Sequence, residues 1–155
     1  RELHCLIEQG RLGKLSQINI EMPQEGFRRL DANGIPITPQ DWRLHDGDIP
    51  IISLDLAVHL VQIISFLSHE SPLEVIAMES NTGNFQGIID NVSCLAKYTN
   101  ELSCHLWYSK TALGHSNGLK VRVYGSTGSA EWFQMEPEYL ILNNRKYSLV
   151  KKDFN

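Results

Sequence analysis

The chain has 155 residues, of which 42% are apolar and 21% charged, and its formal net charge is −4. This composition is typical of one globular domain and excludes a disordered chain. A negative charge without clustered Lys and Arg argues against binding to nucleic acid or to an anionic membrane surface. The short basic pairs Arg28–Arg29 and Lys151–Lys152 are interpreted as solvated surface, and no apolar run reaches the roughly 18 residues of a membrane span.

Three cysteines, Cys5, Cys94 and Cys104, are an odd number at irregular spacing. They fit reduced core thiols of a cytoplasmic protein better than a disulfide framework or a zinc site. No metal-binding motif is present, so no metal ligand is predicted. The first residue is Arg and opens directly onto a helical pattern, which predicts a chain cut from something longer.

Helical patterns come first along the chain. Apolar spacing predicts a helix over Glu2–Gln9, ended by Gly10, and then a strand over Leu15–Met22. The Gly-, Pro- and Asp-rich segment Pro23–Pro50 predicts a long surface connection with short structured pieces. Apolar residues nearly all round Ile52–Ser68 predict a helix that is buried on most sides.

Strand-like patterns fill the remainder, and Thr99-Asn100 predicts a tight hairpin. Several antiparallel strands after a few helices predict an α+β fold in which helices cover one face of a sheet. One domain over residues 1–155 accounts for the whole chain. The predicted strands are Leu73–Glu79, Gly87–Thr99, Glu101–Lys110, Leu119–Tyr124, Ala130–Gln134, Tyr139–Leu142 and Tyr147–Val150.

Asp55, His59 and Gln62 are the polar positions of the second helix between Leu54 and Ile64. Their spacing puts them on one α-helical face, with neighbouring Cβ atoms about 5–6 Å apart. A carboxylate one turn before a histidine can hold the ring and raise its proton affinity, which makes His59 a candidate general base. The spacing alone favours a structural Asp–His hydrogen bond near a helix start and leaves proton transfer as the alternative.

Two glycine-containing loops follow. In residues 107–119, Lys110, His115 and Asn117 are placed to hydrogen-bond a sugar or polyol in a cleft, although a plain exposed hairpin loop has the same pattern. Gly125-x-x-Gly128 lacks a phosphate-loop pattern and a following helix. It is therefore interpreted as a structural turn.

Five short motifs occur in a recognisable order. They are Gly10-Arg-Leu-Gly13 within Leu6–Leu15, Asp41-Trp-Arg-Leu44, Asp55-Leu-Ala-Val-His59, Asn117–Gly125, and Gly128-Ser-Ala-Glu-Trp132 with Pro137. In these motifs the chain resembles the C-terminal domain of the Gfo/Idh/MocA family of NAD(P)-dependent oxidoreductases. The resemblance implies an open-faced, predominantly antiparallel sheet that provides the substrate pocket and often the oligomer contact.

By this resemblance Asp55 and His59 occupy the family's D-x-G-x-H catalytic positions, with Ala57 in place of the glycine. The family's catalytic lysine, in an E-K-P motif, and its G-x-G-x-x-G cofactor segment occur nowhere in the sequence. We therefore expect both to lie outside this chain, the cofactor segment in an N-terminal Rossmann domain. NAD or NADP would bind to the intact enzyme and not to this domain alone.

The resemblance favours the catalytic interpretation of the Asp–His pair. The implied activity is hydride transfer from a sugar, nucleotide sugar or polyol hydroxyl, with Asp55 orienting His59, and the isolated chain would not turn over. The implied substrate-binding residues are Trp42, Arg43, Lys110, His115 and Asn117. The alternative is a non-catalytic binding or oligomerisation module that uses the open sheet face, where Leu119–Tyr124 alternates apolar and polar residues.

Overall fold

The computed structural model describes residues 1–150, so the predicted surface pair Lys151–Lys152 lies outside the described residues. Within that range the chain forms two α-helices and eight strands. Their bounds are α1 Glu2–Glu8, β1 Leu15–Pro23, α2 Val58–Ser68, β2 Pro72–Ser80, β3 Asn91–Tyr98, β4 Ser103–Ser109, β5 Lys120–Gly125, β6 Ser129–Phe133, β7 Tyr139–Leu142 and β8 Arg145–Ser148.

All eight strands form one sheet in the order β2-β3-β4-β1-β5-β6-β7-β8. Every pair is antiparallel except β1 with β4, which is parallel and aligns Pro23 with Ser109. The prediction of a predominantly antiparallel α+β sheet is confirmed. In this single parallel pair, the ends of β1 and β4 meet at the same edge of the sheet.

Strand alternation divides the sheet into a covered and an open face. On the covered face, side chains of the central strands pack against the apolar side of α2 and form one core. The strand residues of that core include Ile18, Ile20, Cys104, Leu106, Val121 and Val123, and the helical residues include Leu56, Leu60 and Ile64. Burial of each such large apolar side chain stabilises the fold by about 1.5–3 kcal/mol.

The helix that carries His59 buries only one side. Ile52, Leu56, Leu60, Ile64 and Leu67 face the sheet, but the opposite side of the helix is exposed at Leu54, Val58, Val61 and Phe66. The prediction that this helix is buried on most sides is therefore wrong for the described residues. It packs on a single sheet, and on its outer side Phe66 is contacted by His4 of α1.

Local chain signals place most element ends correctly. Gly10 follows α1 with φ 68°, and its N–H binds the carbonyl of Ile7 at 2.8 Å, as expected where a glycine ends a helix. The β3–β4 hairpin is present, with Asn100 at φ 54° in its turn. The predicted surface connection contains a bridge between Leu30 and Pro36 and a 3-10 helix over Asp41–Leu44.

Two strand predictions are displaced. The predicted strand Gly87–Thr99 begins too early, because the buried Asp90 side chain accepts hydrogen bonds from the N–H groups of Thr82 and Gly83 and shapes a loop instead. The last strand starts at Arg145 rather than at Tyr147. Asn143 and Asn144 both have positive φ, so they form a two-residue turn that brings the chain back earlier.

All three cysteines are free thiols. Cys104 is buried in the core, and burial raises its pKa to about 12. Cys94 is half-buried and Cys5 is exposed, so the prediction of core thiols is wrong for Cys5, which lies on the outer side of the short helix α1. Among residues 1–150, neither helix is long and apolar enough to cross a lipid bilayer.

Candidate active site

A cluster of charged side chains lies where the helical layer meets the ends of β1 and β4. Asp55 is at its centre, with a side chain that is 16% exposed. Nζ of Lys110 is 2.7 Å from Oδ2 of Asp55, and Nε of Arg43 is 3.1 Å from the same oxygen. Nη2 of Arg43 also donates to Oδ1 of Asp55 at 3.4 Å. The structure thus brings three of the predicted site residues together.

Asp55 belongs to a π-helical turn, Ser53–Ala57, that leads directly into α2. π turns are rare, and they occur frequently at functional sites because the extra residue redirects neighbouring side chains. Ser53 anchors this turn to the sheet through a 2.9 Å hydrogen bond between its hydroxyl and that of Tyr108. The turn therefore sets the direction in which Asp55 points.

The predicted Asp55–His59 pair does not form. Within residues 1–150 the hydrogen bonds and ion pairs of the Asp55 carboxylate go to Arg43 and Lys110, and none goes to the ring of His59. The prediction that Asp55 orients His59 by direct contact is wrong. It assumed α-helical stacking of residues four apart, whereas Asp55 lies in the wider π turn.

Lys110 is the most deeply buried charged member of the cluster, at 5% exposure. It follows β4 directly, and its Nζ also donates to Oε1 of Gln24 at 2.6 Å. Gln24 follows β1, and its backbone N–H binds the carbonyl of Ser109 at 2.8 Å. The parallel pairing of β1 and β4 therefore supplies both residues at one edge of the sheet.

The charges of the cluster shift the pKa values of its members. Burial alone would raise the pKa of Asp55, but the hydrogen bonds and positive charges of Lys110 and Arg43 outweigh it and hold that pKa below the ordinary 3.8. Burial also lowers the pKa of Lys110, and the Asp55 carboxylate opposes that shift. One carboxylate and two cations leave a net positive site suited to binding electron-rich oxygen.

Arg43 and Trp42 come from the 3-10 helix Asp41–Leu44. The guanidinium carbon of Arg43 lies 4.6 Å from the centre of the Trp42 ring, so the two side chains are stacked. Asp46 ties this segment to the next elements, since its carboxylate accepts the N–H groups of Ile51 and Ile89 at 2.7 Å each. Trp42 is half-exposed and stacks on Arg43, so its ring lies between the cluster and solvent.

His59 opens onto a separate, shallow cleft of about 430 Å³ beside α2. The ring is exposed, and no hydrogen bond holds it among the described residues. Gln134 in this cleft carries a buried Oε1 atom without a hydrogen-bond partner in residues 1–150. The cleft is lined by Met22, His59, Gln62, Ile63, Phe66, Leu119 and Gln134.

The two remaining predicted residues lie on the loop between β4 and β5. Asn117 is half-buried, and its Oδ1 has no partner among the described residues. Asn117 lies two residues before Leu119, and Leu119 lines the His59 cleft. His115 is exposed and is not part of the cleft lining or of the Asp55 cluster. The loop around it is held by Gly114, whose N–H binds Oε2 of Glu25 at 2.9 Å.

Gly125 and Gly128 lie at the turn between β5 and β6. A Cβ on Gly125 would lie 2.1 Å from the carbonyl oxygen of Leu12, so this glycine allows the β5–β6 hairpin to pack closely against the chain. A Cβ on Gly128 would lie 3.0 Å from Oδ1 of Asn143, a less severe contact. The interpretation of Gly125-x-x-Gly128 as a structural turn is confirmed.

An open, mostly antiparallel sheet with helices on one face matches the fold of dehydrogenase C-terminal domains. The family model described as the GFO/IDH/MocA C-terminal domain matches residues 1–131, and the chain belongs to this family. An uncharacterized oxidoreductase, YfiI, of Bacillus subtilis (strain 168) is 24% identical over 143 residues, which are 90% of this chain and 36% of that protein.

Solved structures show the same fold. An inositol dehydrogenase homologue from Azotobacter vinelandii, complexed with NAD+, has a TM-score of 0.78 at 19% identity over 95% of this chain and 40% of its own. A levoglucosan dehydrogenase complexed with NADH has a TM-score of 0.76 at 17% identity, over 94% of this chain and 41% of its own. The chain thus spans well under half the length of each of these proteins.

Proposed function

We propose that residues 1–155 form the substrate-binding and proton-transfer domain of an NAD(P)-dependent oxidoreductase that acts on a hydroxyl of a sugar, nucleotide sugar or polyol. The observation that carries the proposal is the half-buried Asp55 carboxylate, held by Arg43 and Lys110 one turn before an exposed histidine. The names of the inositol and levoglucosan dehydrogenases support a polyol or sugar as substrate.

His59 is the proposed proton acceptor. Its ring is exposed to the cleft beside α2, and a neutral imidazole can accept the proton of a substrate hydroxyl near neutral pH. The hydride would pass to the nicotinamide of NAD or NADP, which a separate Rossmann domain of the intact enzyme would hold. The chain alone would bind substrate without turning it over.

Asp55 takes a different role from the one that the sequence predicts. Because it contacts Lys110 and Arg43, it holds the two side chains in place and opposes the lowering of the Lys110 pKa by burial. Lys110 has three N–H donors, of which Asp55 and Gln24 accept two, so one remains for a substrate oxygen. Trp42, Arg43, His115 and Asn117 are proposed to contact the remainder of the substrate.

Replacement of His59 tests the proposal in the full-length protein. His59→Ala should lower kcat by roughly two orders of magnitude or more, as expected for loss of a general base. Ser65→Ala is the matched control, since Ser65 is exposed on the same helix and outside the cleft lining. Turnover would be followed by reduction of both NAD+ and NADP+ with a panel of polyols and sugars, and an unchanged kcat in His59→Ala would contradict the assignment.

A second candidate function is self-association through the open sheet face. Ile76, Met78 and Leu95 expose apolar side chains on that face, at 76%, 68% and 56% respectively. Arg122, on the same face, is paired with Glu21 and Glu131. An apolar patch with ordered charges beside it favours a protein partner, and the proposed partner is a second copy of the chain.

A further inference from the structure

A second cluster of ionisable side chains joins α1 to the C-terminal end of α2, roughly 20 Å along the chain's second helical segment from Asp55. His4 and Glu8 lie one turn apart on α1, and His69 follows α2 directly. Nε2 of His4 is 4.0 Å and Nε2 of His69 is 3.7 Å from the same oxygen, Oε1 of Glu8. All three donor atoms lie within 4.8 Å of one another.

The cluster is held by contacts that do not involve its donor atoms. The ring of His4 is stacked on Phe66 at 4.3 Å between centroids, and His69 meets the His4 ring edge-on at 5.7 Å. His69 has a left-handed backbone with φ 57°, a position after a helix where glycine is the usual residue. A histidine in this backbone conformation is less stable than a glycine would be, which is a feature typical of functional residues.

We propose that His4, Glu8 and His69 bind a divalent transition metal ion, with Zn²⁺ as the best match. Two imidazoles and one carboxylate are ligands that Zn²⁺ accepts in proteins, and water would complete a tetrahedral site. Two ligand atoms that each bind one Zn²⁺ ion at about 2.1 Å are at most about 4.2 Å apart. Both Nε2–Oε1 separations, 4.0 and 3.7 Å, already lie within that limit.

Only small movements are required for all three groups to reach one ion. The widest separation between donor atoms, at most 4.8 Å, exceeds the span by less than 1 Å. The side chains of Glu8 and His69 are 55% and 66% exposed, so they are free to move that far without disturbing the core. A bound ion would tie the ends of α1 and α2 together and stabilise the chain against unfolding.

Titration of the metal-free, full-length protein with Zn²⁺ alone, followed by calorimetry, tests the proposal. We expect one ion per chain with a micromolar or tighter Kd and a rise in Tm of a few degrees that EDTA reverses. His69→Gly should weaken Zn²⁺ binding at least tenfold. Mutation of a residue that only supports a metal ligand already lowers metal affinity by that much, and loss of the ligand itself should lower it at least as far. Glycine is favoured at a left-handed position, so this variant keeps the fold.

Glu8→Gln provides a second ligand variant on the exposed surface of α1. The matched control is His45→Gln, which removes an exposed histidine paired with a carboxylate, Asp41, but with no second histidine in the group. Shifts of the Nε2 resonances of His4 and His69 on addition of Zn²⁺ would identify the ligands directly. Absence of saturable binding, or equal binding by His69→Gly and the parent protein, would overturn the proposal.

Discussion

Lys110 carries its charge into a site where only 5% of the residue is exposed. Desolvation of an ammonium group is costly unless a counter-charge and hydrogen bonds replace the lost water. Asp55 and Gln24 provide both, at 2.7 and 2.6 Å. The consequence is that the stability of this region and its proposed chemistry depend on the same few atoms.

Lys110→Met should lower the free energy of unfolding by about 3 kcal/mol, the lower end of the range for breaking a buried ion pair, because Arg43 still compensates Asp55. Urea unfolding measures the change. The control is Lys146→Met, which breaks an exposed pair with Glu136 and should lower the free energy of unfolding much less, because exposed ion pairs contribute little. Similar losses in the two variants would contradict a buried, stabilising role for Lys110.

The lowered pKa of Asp55 predicts acid sensitivity. A carboxyl whose pKa is lower in the folded than in the unfolded state contributes stability above the unfolded value, and that contribution is lost as the pH falls through the folded pKa. The stability advantage of the wild type over Asp55→Asn should therefore be full near neutral pH and decline below the ordinary value of 3.8. Urea unfolding of both proteins across that range checks this, and a constant difference would contradict it.

At the scale of elements, close approach of the chain to the β5–β6 hairpin limits what can replace its glycines. A Cβ on Gly125 would lie 2.1 Å from the carbonyl oxygen of Leu12, so Gly125→Ala forces the backbone apart. We expect a loss of about 1–3 kcal/mol in the free energy of unfolding. Gly26→Ala, where an added Cβ meets nothing within 4 Å, should change stability by no more than about 0.5 kcal/mol. Equal melting temperatures for the two variants would contradict the packing role.

Elements with strong local signals were predictable from the sequence, and those set by long-range pairing were not. Gly10 marks the end of α1, and apolar spacing gives α2 and most strands, because these depend on neighbours in the chain. No local pattern distinguishes the π turn Ser53–Ala57 from an α turn, so the direction of Asp55 could not be predicted.

The same limit explains which residues of the site were missed. Arg43 and Lys110 were predicted from residue type and family resemblance, and the structure brings both to Asp55. Gln24 was missed because it reaches Lys110 only through the parallel pairing of β1 with β4, two strands far apart in the sequence. The His4–Glu8–His69 cluster was missed for a related reason, since its members come from two helices.

At the scale of the whole molecule, two exposed apolar surfaces bear on the proposed functions. One is the outer side of the segment that carries Asp55 and His59, with Leu54, Val58 and Val61. The other is the open face of the sheet. The first adjoins the proposed site and suits the proposed Rossmann domain, whereas the second lies on the opposite side of the sheet and is free to contact another copy of the protein.

Self-association through the open face is tested by placing a charge at its centre. Leu95 is 56% exposed and pairs across strands with Ile76. Leu95→Arg should weaken a sheet-mediated dimer of the full-length protein at least tenfold, because the interface would bury an unpaired charge. Leu113→Arg is the control, because Leu113 is equally apolar and 62% exposed but lies on the loop after β4. Sedimentation velocity over a wide concentration range measures both. A wild-type protein that stays monomeric throughout, or equal dissociation of the two variants, would exclude the open face as the contact.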